Sequence, residues 1–108
     1  MALFQRIALA AGIQLVRVGD AELIPASAMQ AFLDEARRFR AGILYIEAYR
    51  VGSAGLIPDA RVIADYAALM ADPAFVERSI TEARGFLAIA GREDHLYDVA
   101  ILGRNPLE

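Results

Sequence analysis

The stretch AGILYIEAYRV, Ala41 to Val51, constrains the fold more than any other part of the chain. It is almost unbroken apolar sequence with one carboxylate, Glu47, in its middle. Read with the two-residue period of a strand, Leu44, Ile46 and Ala48 fall on one side and Tyr45, Glu47 and Tyr49 on the other. The first set is core material. The second, two amphipathic rings flanking a charge, belongs on a half-exposed sheet face rather than beneath a helix.

The remaining segments read as follows. Leu3, Ile7 and Ala10 or Ala11 give a short amphipathic helix stopped by Gly12, and IQLVRV has strand composition up to the turn signal Gly19-Asp20. Ala8 to Ala10 imitate a leader-cleavage site, but no basic region precedes them and Arg6 interrupts the apolar run. A helix from Pro25 or Ser27 to about Arg40 has a capping-box spacing, Ser27 to Gln30, and an inward stripe of Met29, Phe32, Leu33 and Ala36. VGSAG reads as a loop. PDARVIADYAALM is expected to be a helix, with Val62, Ile63, Tyr66 and Met70 inward and an Arg61 to Asp65 pair outside. Asp72-Pro73 stops it and starts a last helix that ends at Gly91, with Val76, Ile80, Ala83, Leu87 and Ala90 on its stripe and Arg78 facing Glu82. LYDVAILG is a second clear strand, and the tail RNPLE is expected to fray. The fold class expected from this order is α+β: a small, mainly antiparallel sheet of two to three strands, covered on one face by three to four helices.

With 108 residues and no linker-like shift in composition, the chain fits one domain spanning 1-108. A hydrophobic content of 57% is too high for disorder, and polar residues break every apolar run too early for a membrane span. All eleven cations are arginine and the formal charge is -3, which gives no basic footprint for nucleic acid. No cysteine is present, so thiolate chemistry is excluded and a cytoplasmic location is the simplest expectation.

The catalytic inventory is thin. His95 is the only histidine, so a metal site would rest on carboxylates, and no metal or cofactor is expected. A nucleophilic serine would need His95 as its base. Ser53 in GSAG lacks both a phosphate-loop lysine and a nucleophile elbow. A carboxylate enzyme or ligand-binding pocket using Glu47 is the alternative to a binding module. An arginine such as Arg50, Arg84 or Arg92 paired with Glu47 would make that acid structural. Tyr45 and Tyr49 beside Glu47 match what protein interfaces favour, rigid aromatic anchors next to an orienting charge. Glu93, Asp94 and Asp98 extend an acidic rim suited to a basic partner.

The order of segments adds a resemblance. GIQLVRVGDAELIPASAMQAFLDEA, GILYIEAYRV, FVERSITEARGFLAIA and LYDVAIL together resemble the layout of small α+β immunity proteins of bacterial polymorphic toxin systems. The matching positions are Leu23 to Pro25, Tyr49 to Val51, Arg78-Ser79, and Leu96 to Leu102. The family's tryptophan and cysteine after the first strand are missing here. The resemblance implies a non-enzymatic protein that binds a cognate toxin domain and occludes its active site. On that reading the partner-binding residues are Tyr45, Glu47, Tyr49, Glu93, Asp94 and Asp98. No nucleic-acid or membrane partner is expected, and a free sheet edge is the expected route to a homodimer.

Overall fold

The computed structural model describes residues 1–104. The tail from Asn105 to Glu108, expected to fray, lies outside the described residues. The order of elements is α1 (Leu3–Ala10), β1 (Val16–Val18), β2 (Ala21–Pro25), α2 (Met29–Arg38), β3 (Ala41–Gly52), β4 (Gly55–Asp65), α3 (Phe75–Ala90) and β5 (Leu96–Gly103), with short 3-10 turns before α2 and α3. The strands form one antiparallel sheet in the order β1-β2-β5-β3-β4. The class is α+β. The expected sheet of two to three strands is corrected to five, with three α-helices.

Two elements account for the correction. The expected helix PDARVIADYAALM is instead, up to Asp65, the second arm of a long hairpin, followed by the 3-10 turn Ala67–Leu69. β4 pairs along β3 from Gly52 opposite Gly55 to Tyr45 opposite Asp65, with a register shift between Glu47 and Tyr49. Inside that shift Asp59 and Val62 turn inward, so the burial period of a strand is broken and imitates a helical one. Gly55, at φ 126°, supplies a backbone conformation at the hairpin turn that other residues rarely adopt. The second element is Ala21 to Pro25, which pairs with β1 on one side and β5 on the other. No side-chain cap forms at the start of α2, so the Ser27 to Gln30 spacing is coincidental. Asp72 does not cap α3, which starts at Phe75 behind Ala74 without a side-chain cap; its carboxylate accepts the Ala74 N–H at 2.7 Å and closes the turn before the helix. It also draws Arg78 at 2.5 Å, which replaces the expected Arg78 to Glu82 pair.

The core lies between the sheet and the helices. Ile43, Ile46 and Ala48 of β3, with Tyr97 and Val99 of β5, meet Phe32, Leu33 and Ala36 of α2 and Ile80 and Ala83 of α3. β3 is the central strand of this layer and carries one irregularity, a register slip against β5 between Ile43 and Tyr45. There Ser79, fully buried in the first half of α3, accepts the Ile43 N–H at 2.9 Å. Next to it Gly42 lets the Phe75 ring lie on the strand, since a Cβ at position 42 would come within 2.3 Å of the ring. Helix and strand are thus fixed in depth by one hydrogen bond and one close approach. Ser79→Ala is expected to leave a buried N–H without a partner and to lower stability by ~1 to 3 kcal/mol, read by chemical denaturation.

Candidate functional site

The helices cover one face of the sheet, and Tyr45, Glu47 and Tyr49 stand half-buried on the other. The register brings Asp98 of β5 directly opposite Glu47, Leu96 opposite Tyr49, and from β4 Ile63 opposite Glu47 and Asp65 opposite Tyr45. Tyr45 donates its hydroxyl to Asp98 Oδ2 at 3.0 Å. Burial and then the Asp98 carboxylate push the Tyr45 hydroxyl above the usual tyrosine range. Tyr49 is pushed up to about 12, first by burial and then by the Glu47 carboxylate within reach of its hydroxyl.

Two carboxylates directly opposite on neighbouring strands repel each other, an arrangement that costs a sheet stability unless a cation answers it. Among the described residues no arginine comes within ion-pair distance of either acid. Arg84, a candidate partner for Glu47 by sequence, is instead held by Asp34 at 2.6 Å and Gln30 at 2.5 Å. Four of the six expected contact residues therefore share one face: Tyr45, Glu47, Tyr49 and Asp98. Glu93 and Asp94 do not join them by contact. Both are exposed in the connector between α3 and β5, where Glu93 lines a cleft with Gln30, Leu87 and Tyr97 on the helical side.

Sequence reasoning missed a second polar cluster. His95 is enclosed, its side chain 0% exposed, with Nε2 3.3 Å from Asp59 Oδ2. Its Nδ1 faces the Arg92 N–H and the Tyr97 hydroxyl, both at 3.2 Å. A backbone N–H can only donate, so Nδ1 is the acceptor and Nε2 carries the proton offered to Asp59. Burial raises the Asp59 pKa, but the Arg61 backbone N–H, His95 and the Arg61 guanidinium outweigh it and hold the carboxyl below the usual aspartate range. The cluster ties the irregular part of β4 to the start of β5. No signal in the sequence marks it, because Asp59 and His95 are 36 positions apart.

The larger clefts lie elsewhere. One of about 1020 Å³ runs between α2 and the segment before α3, lined by Arg37, Arg38, Arg40, Asp72, Glu77 and Arg104. Neither Glu47 nor His95 lines this cleft or the three smaller ones. Among the described residues no three histidine or acidic side chains converge as a metal site, and no helix is long and apolar enough to cross a membrane. No family model, curated protein or solved structure matches the chain.

The four tyrosines, Tyr45, Tyr49, Tyr66 and Tyr97, all have hydroxyl pKa values raised by burial first, with Tyr66 also reaching about 12. For these groups the neutral form is favoured in the folded state. Their contribution to stability is therefore complete below the ordinary value of 10 and is lost as pH rises toward the folded values. In an absorbance titration the tyrosinate steps of the native chain should lie above those of the unfolded chain, with Tyr49 and Tyr66 displaced to about 12. The two polar clusters should also separate in melting experiments. Glu47→Gln is expected to change stability by no more than ~0.5 kcal/mol, whereas His95→Leu strips the buried partners of Asp59 and Arg92 and should lower the melting temperature clearly.

Proposed function

We propose that the chain is an immunity-type protein that binds a cognate bacterial toxin domain and covers its active site with the open face of the sheet. The observation that carries this reading is the facing pair Glu47 and Asp98, which no cation of the described chain answers, framed by Tyr45 and Tyr49. A like-charged pair that costs the sheet stability suits a surface on which an arginine or lysine from a partner completes the charge balance. Two tyrosines supply contact area with little ordering cost on binding. The four segments that resemble small immunity proteins support the same reading. Such a protein acts by occlusion and requires no catalytic group.

A carboxylate enzyme is the lesser reading. Glu47 and Asp98 stand on an open sheet face and line none of the clefts described above, and His95 is enclosed by Asp59, Tyr97 and Arg92.

The test is protection. Cells expressing a toxin domain encoded immediately upstream should survive only with the chain co-expressed. Glu47→Arg and Tyr49→Ala should each weaken toxin binding by ~1 to 4 kcal/mol while the circular dichroism spectrum is unchanged. A neighbourhood without a toxin gene, or full protection by a folded Glu47→Arg/Asp98→Arg double variant, overturns the proposal.

A further inference from the structure

The outer edge of β4 is a self-complementary seam. β4 is the terminal strand of the sheet, and the Tyr66 N–H donates to the Leu44 carbonyl at 2.7 Å. In an antiparallel ladder that bond makes Tyr45 and Asp65, which lie opposite each other, a pair without mutual hydrogen bonds, and Ile46 and Ala64 the hydrogen-bonded pair. The backbone N–H and C=O groups of Ile63 and Asp65 therefore point away from β3, along the free edge. From Arg61 to Asp65 the burial alternates regularly: residues 61, 63 and 65 are exposed, Val62 is buried and Ala64 half-buried.

The rest of this edge is blunted. Pro58 has no N–H to offer and the irregular stretch 59–62 breaks the ladder, both ordinary protections of an exposed strand. Of the two regular runs of β4, Gly55 to Pro58 ends on the proline, whereas Ile63, 49% exposed, sits in the other, which has no such block.

We infer that Ile63 to Asp65 is the backbone seam of a twofold homodimer, in which Ile63 pairs antiparallel with Ile63 of a second copy, the two sheets become one, and Arg61, at the end of the irregular stretch, contributes its side chain alone. Charge selects the register. With Ile63 on the axis, Arg61 lies opposite Asp65 of the second copy at both ends, as an isologous contact requires. Centring on position 61 would set arginine against arginine, and centring on position 65 aspartate against aspartate. Both charges have capacity left for the contact. The Arg61 backbone N–H is taken by Asp59 Oδ1 at 3.3 Å, but its side chain is 80% exposed and reaches the same oxygen only at 3.4 Å, and Asp65 uses Oδ1 for the Ala67 N–H. The contact places the two acid–tyrosine faces on one continuous surface, and it stands whether or not a toxin is their partner.

Sedimentation of the full chain between about 1 µM and about 500 µM tests the seam. The wild type should approach twice the 11.7 kDa chain mass, and Ile63→Lys, which puts two ammonium groups on the axis, should remain monomeric with an unchanged circular dichroism spectrum. Arg61→Asp and Asp65→Arg should each weaken self-association at least tenfold. Mixed in equal amounts they should pair, because every cross-seam contact is then between opposite charges. A wild-type monomer at every concentration overturns the inference. So does a dimer that Ile63→Lys leaves intact, or a mixture of the two charge variants that fails to pair while each is folded.

Discussion

The hydrogen bond from the Ile43 N–H to Ser79 Oγ is the joint on which the two layers depend. β3 lies between β5 and β4, so its side chains set the spacing of both neighbours. Its ladder with β5 slips between Ile43 and Tyr45, which would strand a buried N–H inside the core. Ser79 supplies the acceptor from the helix above and so fixes how deep α3 sits. The Phe75 ring on Gly42 repeats the constraint one turn earlier in the helix. Beyond the slip the strand alternates regularly, with Ile46 and Ala48 inward and Tyr45, Glu47 and Tyr49 outward. The open face follows from this geometry, because helices held against one side leave the other without cover.

That face and the buried His95 cluster show two ways a chain can place polar groups. Among the described residues every buried side-chain nitrogen and oxygen has a partner, and the Asp59, His95 and Tyr97 set obeys that economy. Glu47 and Asp98 do not find a cation although the chain has arginines in supply, several of them engaged on the helical side with Asp34, Glu35, Asp72 and Glu77. Charge compensation is thus concentrated on the covered side of the sheet. On the half-exposed side Glu47 and Asp98 keep their negative charge without an ion-pair partner among the described residues.

Much of the candidate site was legible in the sequence. The period-two split of Ala41 to Val51 and of Leu96 to Leu102 depends only on side chains alternating across a strand, so Tyr45, Glu47, Tyr49 and Asp98 could be assigned outward from local pattern. That Glu47 and Asp98 face each other could not, because register between distant strands is a property of the assembled sheet. β4 was misread for a related reason. Val62, Ile63, Tyr66 and Met70 imitate a helical stripe, yet Ile63 and Met70 are exposed and the segment is a strand interrupted by a bulge. A bulge resets the period, and only pairing with β3 reveals it.

The sequence by itself determined an α+β chain, the two principal strands, the alternation of β3 from Tyr45 to Tyr49 and of β5, and the inward stripe of α2. These are read correctly because strand alternation and amphipathic periodicity are local consequences of backbone geometry. Leu44, expected inward, instead gives its place in the core to Ile43 at the slip. Only the tertiary structure decided the number of strands, the place of β2 between β1 and β5, the Ser79 joint, the Asp59 to His95 contact and the free edge at Ile63. Each of these joins residues far apart in the chain or turns on which strand lies outermost. Which backbone groups find partners is settled only when the sheet closes on its helices and one strand is left at its margin.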